Sequence, residues 1–198
     1  ETVSFVNTVR YVDSIRIEWD TPYNADQFFV IKDGDSIAAT SETYYVDQNV
    51  IAAQIYCYQI AAVNSQFVSG PLSDQSCNKA FVGPPENFIG TIIQDSIQLS
   101  WSNVAEAGQY RLYRDGSIIS TSPNLSFLDT ELNYSTSYSY TISCLDNVGE
   151  EGPQSSTLFL TTHTELGAPN LSILSDSTNF ILNWSSVNSA VIYKVYVD

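Results

Sequence analysis

Cys57 and Cys77 lie ten residues either side of Phe67. That symmetry is expected of two positions facing each other on adjacent antiparallel strands of one hairpin. Cys57 also alternates with Tyr56 and Tyr58, so its side chain leaves the face those rings occupy. Two outward thiols at facing positions read as a disulfide, worth roughly 3 kcal/mol in the chain-entropy description; two unrelated free thiols are the other reading. Cys144 takes the place in the second half that Ala62 has in the first, pointing inward, and reads as a buried free thiol. Asp146, Glu150 and Glu151 crowd one loop. A strong Ca²⁺ site needs six to eight oxygen ligands at defined spacing, so these three read as a solvated loop. His163 is the sole histidine. A metal site or a nucleophile–base pair needs partners that it lacks, and no Gly-rich phosphate cradle follows any strand. The sequence therefore assigns no catalytic, cofactor-binding or metal residue. The expectation is a protein that is not an enzyme and takes no cofactor.

A second chemistry resides in serine. Asp13-Ser14, Asp35-Ser36 and Asp95-Ser96 are each followed by Ile, and Asp176-Ser177-Thr178 is a near variant. Asp and Ser bond their own backbone at turns. The same tripeptide resembles an O-glycosylation acceptor of secreted bacterial proteins, which makes Ser14, Ser36, Ser96 and Ser177 candidate attachment sites. Four Asn-x-Ser sequons also occur, at Asn124, Asn133, Asn170 and Asn183, and chance matches are expected in a chain this rich in Asn and Ser.

The net charge is −15, with the acidic residues spread along the chain. Nucleic acid and anionic membrane surfaces require clustered Lys or Arg, so neither is expected as a partner. No run of apolar residues is long enough for a membrane-spanning helix. Glu1 opens the chain without an initiator Met or a signal-peptide pattern, as a processed or trimmed polypeptide would.

These residues sit in an internal repeat. Trp19 returns as Trp101, Asp33-Gly34 as Asp115-Gly116, Asp47 as Asp129, Tyr56 and Tyr58 as Tyr138 and Tyr140, and Gly70-Pro71 as Gly152-Pro153, all at an offset of 82. A third copy starts at Trp184. Repeats of domain length mean a string of like modules. Within each, apolar residues alternate with period two: Ile15-x-Ile17-x-Trp19, Ile97-x-Leu99-x-Trp101, Phe180-x-Leu182-x-Trp184. Phe28-x-Val30, Tyr110-x-Leu112 and Tyr193-x-Val195 form the next strand. It ends at Asp-Gly in the first two copies, the signature of a tight turn with positive φ at both central residues. Many short strands at this spacing predict an all-β sandwich.

The strand-two Trp, the Leu132-to-Tyr138 spacing of a tyrosine corner, and Tyr138-x-Tyr140-x-Ile142-x-Cys144 before a Gly-containing loop resemble the fibronectin type III family. The run Tyr110-Arg111-Leu112-Tyr113-Arg114-Asp115-Gly116 is similar to its bacterial branch. The resemblance covers both full repeats and three strands of the third. It implies tandem immunoglobulin-like sandwiches in roles of adhesion, spacing, reception or enzyme accessory. Neither Arg-Gly-Asp nor Trp-Ser-x-Trp-Ser occurs, so integrin-ligand and cytokine-receptor roles do not carry over.

The expected modules are residues 1–82, residues 83–167 and a partial repeat at residues 168–198, joined by short Pro-bearing linkers at Gly83-Pro84-Pro85 and Gly167-Ala168-Pro169. Such linkers predict a semi-stiff rod. Phe29, Ile31, Tyr113 and Tyr196 would stand outward on the third strand of their copies, an expected interaction face; Arg and Lys stems covering them is the alternative. The partial repeat is expected to leave its apolar residues uncovered unless the polypeptide continues or another chain completes it. The function implied is a spacer or adhesive stalk of a larger extracellular or cell-surface protein, with a surface protein or glycan as partner. An accessory module of a secreted polysaccharide hydrolase or protease, and a self-assembling filament subunit, are the alternatives.

Overall fold

The computed structural model describes residues 2–4, 6–93, 95–175, 178–187 and 190–196. Ser177 lies outside the described residues. Eight strands build the first repeat: β1 (Val6–Arg10), β2 (Ile15–Trp19), β3 (Gln27–Lys32), β4 (Asp35–Thr40), β5 (Tyr44–Asp47), β6 (Ile55–Val63), β7 (Ser69–Leu72) and β8 (Ser76–Lys79). One sheet has the order β1-β2-β5; the other runs β4-β3-β6-β7, with β8 also on β6. The second repeat follows with β9 (Ile89–Ile93), β10 (Ser96–Ser100), β11 (Ala107–Arg114), β12 (Ser117–Ser122), β13 (Ser126–Asp129), β14 (Ser137–Asp146) and β15 (Leu158–Thr161). Its sheets are β13-β10-β9 and β12-β11-β14-β15. Every pairing is antiparallel, and no helix forms among the described residues.

Alternation fills the cores. Ile15, Ile17 and Trp19 from one sheet meet Phe28, Val30, Tyr58 and Ile60 from the other, and Ile97, Leu99 and Trp101 meet Tyr110, Leu112, Tyr140 and Ile142 in the second sandwich. Trp19 meets Phe28 edge-on at 5.5 Å, and Trp101 meets Tyr110 at 5.7 Å, adding ring–ring attraction to burial. The Asp-Gly turns have the expected backbone: φ is 51° and 96° at Asp33 and Gly34, and 50° and 77° at Asp115 and Gly116. Each turn is also latched, because the Asp33 and Asp115 carboxylates accept the Cys57 and Ser139 backbone N–H at 2.9 Å.

Two buried polar networks repeat with the same offset. The Tyr58 hydroxyl donates to Asp47 at 2.8 Å and the Tyr140 hydroxyl to Asp129 at 2.7 Å. Lys32 and Arg114 complete the sets by pairing with those carboxylates at 2.8 Å. Burial, with the adjacent carboxylate second, pushes both phenols well above the usual tyrosine range. The tyrosine corners close on Tyr56 and Tyr138, whose hydroxyls accept the Ile51 and Asn133 N–H at 3.0 Å.

Residues 168–196 contribute one hairpin, β16 (Leu171–Ser175) with β17 (Phe180–Trp184). No strand forms over Tyr193–Val195, where a third was expected, although Tyr193 keeps its place 5.9 Å from Trp184. With no second sheet across it among the described residues, Phe180 stays 80% exposed and Trp184 42%.

Ile31 corrects one expectation. It was placed on an exposed outer face, yet it is 9% exposed, because β3 is a central strand and Gln59 of β6 and Ser36 of β4 flank it. Phe29 and Tyr113 are half-buried for the same reason, and Tyr196 is exposed. Ser14 is a second correction: expected at an exposed turn, it is buried at 7% and donates to Asp13 at 3.1 Å. Ser36 is exposed and Ser96 half-buried.

Candidate functional site

The densest charged cluster spans the two sandwiches. The handover between their cores falls between Ala80, which packs in the first, and Val82, which packs in the second. That is just ahead of Gly83-Pro84-Pro85. The backbone is tied there by Phe81 N–H to the Tyr11 carbonyl at 2.8 Å and by Ala53 N–H to the Ala80 carbonyl at 3.1 Å. Ala52 and Ala53, on the loop between β5 and β6, pack against the second core. Gly152 lies so close to the Val82 carbonyl that a Cβ there would sit 2.0 Å from its oxygen, so only glycine admits this approach.

Around this seam, cations of the first sandwich meet carboxylates of the second. Lys79, at the end of β8, pairs with Asp146 at the end of β14, and reaches Glu150 of the following loop at 2.9 Å. Arg10, at the end of β1, pairs with Glu150, donates through Nε to the Lys79 carbonyl at 2.8 Å and lies 3.9 Å over the Phe81 ring. Asp146 is already fixed: its Oδ1 accepts the Val148 and Glu150 N–H at 3.0 and 2.9 Å, leaving Oδ2 for the lysine. Two of the chain's seven Lys and Arg residues serve this one seam, which sets it apart in a chain of net charge −15.

The electrostatics follow. Hydrogen bonds from Arg10 and then Lys79 hold Glu150 below the usual carboxylate range. Burial pushes Asp146 up, but Lys79 and the two backbone donors outweigh it and bring it down. The same contacts with Asp146 and Glu150 raise Lys79. Cys144, close by on β14, is a free buried thiol pushed up to about 11 by desolvation, which keeps it unreactive.

The loop acids are thus bound to cations. Glu151 completes the picture on the outer face of β11 and β14, accepting from Arg111, Tyr113 and Ser143. Among the described residues no group of three or more His, Cys, Asp or Glu is placed to hold a metal ion. His163 stands near the end of the second sandwich, its carbonyl accepting the Ser135 N–H. The structure joins Cys57 to Cys77, directly opposite each other on β6 and β8 with Cα atoms 4.0 Å apart.

Sequence reasoning missed Arg10 and Lys79. The available signal was a difference between repeats. Asn64 and Val68 become Asp146 and Glu150, while the positions matching Arg10 and Lys79 become Ile92 and Thr161. The acids stand on one side of a single seam and the cations on the other.

The chain is therefore a tandem of all-β, immunoglobulin-like sandwiches that resemble the fibronectin type III fold. No protein-family profile matches it. It is similar to the poly(3-hydroxybutyrate) depolymerase of Ralstonia pickettii, 36% identical over 67 residues that cover 34% of this chain and 14% of the depolymerase. It is also similar to exoglucanase B of Cellulomonas fimi, 25% identical over 150 residues covering 68% of this chain and 14% of that enzyme. Of either relative it spans 14% of the length. The crystal structure of FN3tt aligns with 41% of this chain and 95% of its own, at 24% identity and a TM-score of 0.38.

Proposed function

We propose that this chain is a non-catalytic spacer segment of a larger extracellular or cell-surface protein, and that it sets the distance and angle between what lies at its two ends. The observation that carries this reading is the seam itself. A flexible linker needs no cross-module ion pairs, whereas Arg10, Lys79, Asp146 and Glu150 tie two sandwiches across a junction closed by Gly152. Main strands of about ten residues give each module a length of roughly 33 Å. The disulfide supports an oxidising compartment outside the cytoplasm.

Spin labels on the outer strands of each sandwich test the reading. A single narrow distance distribution is expected, broadening in Lys79→Met. A broad distribution in the unaltered chain would end the spacer proposal.

A second reading, an accessory module of a secreted polymer-degrading enzyme, is favoured by the two relatives, a depolymerase and an exoglucanase of which this chain matches a small part. A catalytic domain in the same polypeptide would establish it.

A further inference from the structure

The end of the first sandwich that points away from the seam carries a groove of about 280 Å³ between the β2–β3 loop and the β6–β7 turn. Its volume is near the lower bound for small-ligand clefts. Tyr23 and Asn24 line one wall, Asn64, Val68 and Ser69 the other, and no lining side chain is charged. Two aromatic rings stand in water here: Tyr23 is 80% exposed, and Phe67, next to the lining residue Val68, is 82% exposed.

The second sandwich supplies an internal control. Asn64 and Asp146 hold their turns identically, each side-chain oxygen accepting the N–H two and four residues on. On that shared scaffold the second sandwich places Ala105, Gly149 and Glu150 where the first has Tyr23, Phe67 and Val68. The end that meets another module is acidic and lacks aromatics; the other is aromatic and uncharged. The left-handed turns themselves are common to both sandwiches: φ is 62° at Asn24 and 59° at Phe67, and 64° and 84° at the matching Glu106 and Gly149.

We propose that this groove binds an uncharged saccharide, one or two pyranose rings of a neutral glycan. Exposed rings offer a flat apolar surface to the C–H face of a pyranose; the Asn24 amide, the Asn64 amide N–H donors and the Ser69 oxygen as an acceptor match its hydroxyl groups, the Asn64 oxygen and the Ser69 proton being engaged by the backbone. Charge selects the class. In a chain of net charge −15, a lining with no cation disfavours an anionic glycan. The site goes beyond the spacer role and does not rest on it.

The test is an NMR titration of the whole chain with cellohexaose, xylohexaose and chitohexaose, with hexagalacturonate as the charged control. At least one neutral probe is expected to shift the Asn24 and Asn64–Ser69 amides at millimolar concentration. Tyr23→Ala and Phe67→Asn should each weaken binding about tenfold. Asn tolerates the Phe67 backbone, and an unchanged melting temperature would show both variants folded. No shift at those amides with any neutral probe up to about 10 mM would overturn the proposal. So would binding that survives in the double variant, or hexagalacturonate bound equally well. Shifts at these amides that depend only on protein concentration would identify a second copy of the chain as the occupant and overturn it too.

Discussion

Lys79 and Asp146 belong to different sandwiches, yet they form an ion pair whose side chains are only 13% and 5% exposed. The contact converts two beads on a string into a coupled pair, because neither charge can be left there alone without a desolvation penalty. A double-mutant cycle with Lys79→Met and Asp146→Asn should give a coupling energy of about 1–3 kcal/mol by calorimetry. Coupling indistinguishable from zero would mean that the pair adds nothing in solution.

The seam should loosen in acid. Asp146 and Glu150 are both held below the usual carboxylate range. Their contribution is full above the unfolded carboxylate values, about 4, and is lost as pH falls through the lower folded ones. Lys79 is raised, so its share is full at neutral pH and is lost only above the ordinary lysine range. Scanning calorimetry should show the two sandwiches melting with mutual stabilisation near pH 7 that weakens progressively as the pH is lowered below about 4. Coupling that stays constant down to the acid unfolding of the chain would contradict the assignment.

Trp101→Ala should unfold the second sandwich, since truncating a buried Trp costs about 3–5 kcal/mol. The first should stay folded, with its melting temperature lowered by loss of Asp146 and Glu150 as partners. Heteronuclear NMR spectra resolve the two outcomes; collapse of both sets of signals would show that the first cannot stand alone.

The Cys57–Cys77 bridge closes a loop across a sequence separation of 20, and reducing it should destabilise the first sandwich by about 3 kcal/mol while leaving the second unchanged. Non-reducing peptide maps should recover Cys144 as free thiol.

If native material carries O-glycans, Ser36 is the expected attachment point, being exposed at the start of β4, whereas Ser14 is buried. Mass spectrometry of peptides covering both serines decides it; a glycan on Ser14 alone would contradict the packing.

Much of this was legible in the residues themselves. Strands β2 and β10, the Asp-Gly turns and the pairing of Cys57 with Cys77 follow from local rules: period-two alternation, the φ demands of a tight turn, and register counted outward from a hairpin; the tyrosine corner at Tyr138 was legible only through the family resemblance. Those rules depend on near neighbours in sequence, so the chain determined them alone. The burial of Ile31 and Ser14, the handover at Val82 and the seam of Arg10 and Lys79 with Asp146 and Glu150 were decided by tertiary structure. Arg10 and Glu150 are 140 residues apart, and nothing local to either says that it will find the other. Their meeting depends on how one folded sandwich is set against the next, through the packing of Ala52 and Ala53 and the close approach allowed at Gly152. The same holds for Tyr23 and Val68, which share a groove only because two loops distant in sequence close the same end of the sandwich.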